Sequence, residues 1–373
     1  MLKKTFWIRF LSSFILILLG LYLIAAIGNK QAISEPAEKE QLTNETKNVS
    51  KDKVIKVKTQ GLARYIGVSS LVFAERFGAP TLEFASAENI KWQQYATADE
   101  MLVGIDQYTD KVCVIYLLSK QTTPDELNIG MTRKNFERTF KLSERFKIRS
   151  NEQTTRIRLS ETDLLEKPLL AFKNGSYVVS YFSKKDHKIV ALEYLAKEEL
   201  LRSSLYHVSS QTPLPVRYST TVSKQENYKQ VLSSVWQLIG HMRQTQSMTQ
   251  LDYDQEATEM AKNIAKTLAK DPKKYLSKTQ LEQYKLLKAD RLNDVSGLKL
   301  TSKQISKKLL TDAGVDKKRY AVYLGGPVTV PAQLVATTGK DQIFWNKFIY
   351  HDSEMAGFEY SNSILIGVYK KDN

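Results

Sequence analysis

A motif that occurs twice constrains this chain more than any other feature. Ile66-Gly67-Val68-Ser69, followed by Phe73 and Phe77, returns 63 residues on as Ile129-Gly130-Met131-Thr132, followed by Phe136 and Phe140. Glycine, hydroxyl and both phenylalanines match at one offset. Each copy reads as a helix start. Ser69 or Thr132 accepts from a free N–H of the first turn, and phenylalanines four apart lie on one buried face. Gly78-Ala79-Pro80 stops the first helix, whereas the second copy has no such stop and is expected to run longer. Alternating, β-rich stretches follow each helix: 101–105 and 112–118 around a turn at 108–111, then 177–182 and 189–194 around a turn at 184–187. The expectation is a domain over 62–201 built of two copies, each a helix with its own small antiparallel sheet.

Ahead of the repeat, residues 10–27 contain no charged side chain. At about 1.5 Å per helical residue such a run approaches the ~30 Å hydrocarbon core of a bilayer. Lys3, Lys4 and Arg9 precede it, which places residues 1–9 in the cytoplasm by the positive-inside rule. A cleaved signal peptide is the alternative. It would have an apolar region of about 7–15 residues and a small-x-small site, and Ala25-Ala26-Ile27-Gly28 fits that poorly. The reading is a single transmembrane helix over 10–27, with later domains extracellular. Residues 28–61 are polar and charged, too poor in apolar surface to offset the entropy of ordering, and read as a flexible linker.

Composition limits the setting. Hydrophobic residues at 42% of 373 supply real cores, so the bulk is globular. The net charge of +15 comes largely from lysine outside the membrane run, which suits anionic lipid heads or anionic wall polymers; a solvated face with no specific partner is the alternative. Cys113 is the only cysteine, in the apolar run Val112-Cys113-Val114-Ile115, and reads as a buried small hydrophobe. An exported chain without disulfides and rich in lysine points to a bacterium with one membrane, a Gram-positive. An external location also removes the usual reason for nucleic-acid binding.

Pro213 and Pro215 mark a boundary, with 202–224 read as a second linker. Beyond it Tyr228, Val231, Leu232, Val235, Trp236, Ile239 and Met242 trace one helical face, and Ala257, Met260, Ala261, Ile264, Ala265 and Leu268 trace another. A lysine-rich, mostly helical stretch runs to about Leu310. Two apolar runs, 356–360 and 364–369, joined by Ser361-Asn362-Ser363, read as a closing hairpin.

Together the two halves resemble a bacterial arrangement. Residues 62–201, with their Ile-Gly-x-Ser helix start, look like the CAP-associated amino-terminal domain. Residues 225–373 look like a diverged CAP domain, the superfamily of cysteine-rich secretory and pathogenesis-related proteins. Arg243 in Gly240-His241-Met242-Arg243 fits that family's Asn-x-x-Arg; the asparagine is missing. Leu251 to Asp254 leading into Ala257 and Ala261, Ala313-Gly314-Val315, and Thr337-Thr338-Gly339-Lys340 resemble later family features in order. The implied fold class is α+β: a two-repeat α/β-hairpin domain, then a three-layer α-β-α sandwich, behind the transmembrane helix.

The resemblance also implies a cleft that often holds a divalent metal on two histidines and two glutamates. Those residues are replaced here. Lys278 stands where the first histidine would be, no acid lies near Val322-Tyr323, and Lys340 stands at the second histidine. An alternative register anchored on Trp345 recovers His351, with too little chain left before the closing strands. The candidate cleft-lining residues are Lys278, Lys340 and His351, with no metal ligand, catalytic residue or cofactor assigned. His187, His207, His241 and His351 are scattered, and none has a second ligand at helical spacing. No Gly-x-Ser-x-Gly elbow or phosphate-binding glycine loop occurs. Three functions follow: a membrane-anchored envelope protein with a non-catalytic CAP-like binding or scaffolding module, a cell-wall hydrolase or peptidase, or a lysine-driven binder of anionic wall polymer. The partners expected are the membrane and a wall polymer or envelope protein, with no nucleic acid.

Overall fold

A computed structural model describes residues 49–371 apart from 51–53, 86–88, 97–99, 119–125, 151–152, 184–185, 204, 211–223, 246, 289–297, 302, 327–347 and 350–353. The expected transmembrane run 10–27 lies outside the described residues. Among those described, no helix is long and apolar enough to cross a membrane.

Two short strands precede the repeat, Val49–Ser50 (β1) and Lys56–Val57 (β2), then one 3-10 turn at Gly61–Tyr65. The last part of the expected linker 28–61 is thus structured, because Val54 and Val57 pack on the core. The first repeat comprises Ser70–Phe77 (α1), Leu82–Ala85 (β3), Ile90–Ala96 (β4), Glu100–Asp106 (β5) and Lys111–Leu117 (β6). The second comprises Arg133–Thr139 (α2), Leu142–Ser143 (β7), Arg145–Ser150 (β8), Gln153–Arg158 (β9), Glu161–Glu166 (α3), Leu169–Phe172 (β10), Tyr177–Phe182 (β11) and Ile189–Leu195 (β12). Lys197–Arg202 (α4) and His207–Ser209 (β13) follow. β13 pairs with β9, so the stretch expected as a linker from residue 202 begins inside this domain.

The repeated motif does what its residues suggest. Ser69 Oγ accepts from the Val72 N–H at 3.3 Å and Thr132 Oγ1 from that of Asn135 at 3.4 Å. Phe73 and Phe136 are fully buried. Both glycines are left-handed, Gly67 at φ 90° and Gly130 at φ 86°, where a side chain would be strained. The likeness extends into the hairpins. Gly67 N–H donates to Val112 O and Gly130 N–H to Ile189 O, each at 2.8 Å. Asp110 and His187 both adopt left-handed φ, 53° and 52°, in the turns before those strands.

Two expectations fail here. α2 does not run longer than α1: Phe140 turns extended at φ −119°, because burying its ring beside Phe136 sends the chain straight into β7. Nor does each copy keep a separate sheet. β12 pairs antiparallel with β6, Leu192 opposite Leu117 through Leu195 opposite Val114, giving one eight-stranded sheet of order β2-β10-β11-β12-β6-β5-β4-β3. β6 is buried from its second residue on and β12 throughout; a strand so apolar on both faces is poorly suited to an edge. A second, three-stranded sheet, β13-β9-β8, stands beside it.

The second half holds Lys224–Thr245 (α5), Asp252–Tyr253 (β14), Gln255–Lys270 (α6), Lys278–Lys288 (α7), Leu298–Thr301 (β15), Lys307–Asp312 (α8), Tyr320–Gly326 (β16), Met355–Ser361 (β17) and Ile364–Lys370 (β18). The sheet order is β14-β17-β18-β16-β15. Its two faces follow the strand alternation. Tyr320, Val322, Leu324, Ile364, Ile366 and Val368 pack with α6, α7 and α8. Tyr323, Leu365, Tyr369 and Phe358 pack with Val231, Val235 and Ile239 of α5. This is the expected α-β-α sandwich. β15 interrupts the lysine-rich stretch read as mostly helical, because Leu298 and Leu300 alternate into the core. The closing hairpin turns on Asn362 and Ser363, both left-handed at φ 51° and 58°, as a two-residue type I′ turn requires.

One glycine fixes how closely helix and sheet approach. A Cβ at Gly357 would lie 2.1 Å from the Thr258 backbone nitrogen of α6. Gly357→Ala is expected to cost about 3 kcal/mol, since helix and strand must part. Gly240→Ala on α5, where a Cβ meets nothing within 4 Å, is expected to add up to about 1 kcal/mol. Urea denaturation of both variants checks the pair.

Candidate functional site

Of the three cleft positions, Lys278 alone lies among the described residues. Lys278 is the exposed first residue of α7; Lys340 and His351 lie outside the described residues. Val322 and Tyr323, where the resemblance would put an acid, are buried core on β16. The described positions therefore offer no ligand set for the metal that the resemblance implies, and no group of three or more His, Cys, Asp or Glu among the described residues could hold a metal ion. Arg243 is 1% exposed; its Nε donates to Thr249 O at 2.5 Å and its Nη1 to Phe348 O at 3.1 Å. That commits the guanidinium to closing the loop after α5. Cys113 is buried, its thiol donating to Gly104 O at 3.3 Å. His187 is exposed in its turn and His207 exposed on β13.

A concentration of positive charge lies in the first domain. On β8, Phe146 and Ile148 point into the core while Arg145, Lys147 and Arg149 are exposed; on β9, Ile157 is buried while Thr154, Arg156 and Arg158 are exposed. The register sets Arg145 opposite Arg158 and Lys147 opposite Arg156, and His207 opposite Arg158. Like charges directly opposite are destabilising, by a few tenths of a kcal/mol to about 1 kcal/mol per pair. Glu144 relieves one end, 2.9 Å from Arg158 and 3.9 Å from Arg145. Beyond this face, between β8–β9 and the β2–β10–β11 end of the main sheet, runs a groove of about 600 Å³ lined by Lys56, Lys147, Arg149, Arg156, Lys197 and the half-buried Tyr177, with no carboxylate among its described lining residues. Lys197 leans towards Glu198 at 3.5 Å. Among the described residues, no acid pairs with Lys56, Lys147, Arg149 or Arg156. The signal was present in sequence as cation–apolar alternation, Arg-Phe-Lys-Ile-Arg and Thr-Thr-Arg-Ile-Arg, and a search for contiguous lysine clusters passes over it.

A second polar group is buried within the main sheet. Glu193 on β12 is 3% exposed. It accepts from the Tyr116 hydroxyl at 2.7 Å and from the Tyr181 hydroxyl. Burial pushes its pKa up, and these two hydrogen bonds and the more distant Lys167 charge only partly oppose that. Lys167 itself is held by Asp163 at 2.9 Å. Burial would raise Asp163 too, yet its bonds from Ser160 and Lys167 bring it below the usual carboxylate range. With Lys167 so engaged and Glu193 sealed from solvent, the cluster ties strands together.

These features define a mixed α+β fold, with an eight-stranded sheet in the first half and an α-β-α sandwich in the second. The structure matches an extracellular protein containing an SCP domain from Bacillus anthracis, with TM-score 0.63 and 16% identity over 87% of this chain and 99% of that one. It also matches a cysteine-rich secretory protein from Staphylococcus aureus, with TM-score 0.65 and 13% identity over 86% of this chain and 95% of that one. Residues 66–206 match the CAP-associated N-terminal family. No curated protein matches the sequence. Residues 66–206 are thus similar to the CAP-associated N-terminal family, and the chain shares the fold of SCP-domain-containing proteins.

The raised pKa of Glu193 makes stability depend on pH. Protonation is tighter in the folded state, so the folded chain binds more protons and stability falls as pH rises from the ordinary value of 4.5 through the raised one. The slope can reach about 1.4 kcal/mol per pH unit. Glu193→Gln, whose amide can still bond both tyrosines, is expected to flatten that slope. Melting temperatures of both proteins across the acidic to neutral range measure it.

Proposed function

We propose that the chain is a membrane-tethered envelope protein of a Gram-positive bacterium, with residues 1–9 cytoplasmic, 10–27 spanning the membrane, and both folded domains outside as a non-catalytic binding or scaffolding module. The observation that carries this reading is the combination of an uncharged 10–27 run behind three cations with a fold matching an extracellular and a secretory protein. The non-catalytic part is supported by Lys278 and by Val322-Tyr323, which stand in place of ligands, and by Arg243, which is occupied with backbone carbonyls. An envelope hydrolase would need a base and an acid converging in one cleft, and the described residues favour no such pair.

The test is fractionation of the full chain in a Gram-positive host. It is expected to stay at full length in the membrane pellet after a high-salt wash and to be digested by protease added to intact protoplasts. Recovery from the medium, shortened by about the length of the apolar run, would remove the tether. The purified chain is expected to carry no stoichiometric zinc or calcium and to release no fragments from peptidoglycan.

A further inference from the structure

We propose that the groove lined by Lys56, Lys147, Arg149, Arg156 and Lys197 binds a linear polymer whose backbone carries phosphodiester groups. This deepens the envelope reading above and rests on it for where such a polymer is met.

Several observations converge. Five cations and no described carboxylate line one groove. Lys147 sits directly across from Arg156, so folding holds two positive charges together that an anion between them would reconcile. The cations are spread out rather than convergent. Exposed residues two apart on β8 stand about 7 Å from each other and neighbouring strands about 4.8 Å, so the strand cations are set out along the groove, with Lys56 and Lys197 coming from other elements. A row of anions meets them better. Arg149 and Arg156 present planar forks that suit a phosphodiester's two free oxygens. Cations approach from β2 and α4 as well as from the sheet, which suits charge carried in a backbone lying along the groove rather than on pendant groups. A flat bilayer surface fits less well. Among the described residues, the large exposed apolar side chains are Ile55, Leu71, Val72, Tyr108, Leu165 and Tyr253; none lies on β8, β9 or β13 to enter lipid.

The experiment uses the full chain in neutral detergent and a synthetic poly(glycerol phosphate). Wild type is expected to bind with a strong inverse dependence on salt. The variant K147Q/R149Q/R156Q is expected to lose binding at least tenfold, and its slope of log affinity against log salt to become shallower by about two. Its melting temperature should be unchanged or higher, since opposed charges are relieved, so loss of folding is separable from loss of the site. K303Q/K308Q/K318Q, which removes the same charge from exposed positions of the second domain, is expected to bind like wild type. Equal losses in the two triple variants would overturn the site in favour of diffuse charge. Equal binding to polyglutamate would overturn the phosphodiester assignment. Competition by phosphatidylglycerol doped into the micelles would move the ligand to the membrane. Wild type that sediments with isolated cell walls while the groove variant does so equally well would sink this inference and leave the envelope reading standing. Wild type that fails to associate with walls or membrane at all would sink the envelope reading itself.

Discussion

The antiparallel pairing of β6 with β12 is the contact on which the first domain depends. Each repeat on its own offers a helix and a few strands, and so small a sheet has a thin core and two open edges. Joining them at Leu192–Leu117 through Leu195–Val114 removes the most hydrophobic edges from solvent. It also brings Tyr116 directly opposite Glu193, placing a carboxylate and a phenol in the middle of the seam. An ionisable group so deep weakens the seam at high pH, yet its hydrogen bonds to Tyr116 and Tyr181 are satisfied only when β6, β11 and β12 are in this register. Polar pairing of this kind discriminates between registers that apolar strands alone would leave nearly equivalent.

The same join explains where the cationic face lies. The main sheet uses β10, β11 and β12 of the second repeat, so the inserted β8–β9 hairpin makes a sheet of its own with β13. One side of that sheet is spent on Phe146, Ile148 and Ile157 in the core. The other is left to solvent, and there period-two alternation displays every cation of both strands on one surface.

Local chemistry was legible in the chain and long-range pairing was not. Ser69 and Thr132 are caps because few other side chains can accept from the first turn, and Gly67 and Gly130 recur because the backbone there is left-handed; such needs are written in single residues. The helical faces of α5 and α6 and the Asn362-Ser363 turn are equally local. The β6–β12 pairing is different. Val112 to Leu117 and, Glu193 apart, Ile189 to Leu195 are apolar, so nothing in them says which further strand they will join. β15 was hidden because two leucines are too few to declare a period amid lysines. Of the candidate cleft, Lys278 is visible only as an exposed helix start, and the arginines of β8 and β9 had to be placed opposite one another by the fold before their charge added up.

Why the charge should gather on β8 and β9 is a question of cost. Scattered over the surface, the cations would repel one another weakly and be screened within about 8–10 Å. Arg145 opposite Arg158 and Lys147 opposite Arg156 bring them inside that distance, and among the described residues Glu144 offsets it, at one end. A sheet whose buried face is already complete can carry that penalty without unfolding, so the repulsion is held until an anion lies along the groove. Arg243, a buried cation of the second domain, is used differently: its Nε and Nη1 donate to backbone carbonyl oxygens. The β8–β9 face keeps Lys147, Arg149 and Arg156 exposed with no described acid beside them, whereas Arg243 is buried and donates to backbone carbonyls. On that contrast, recognition belongs to the β8–β9 face rather than to the described part of the SCP-like fold.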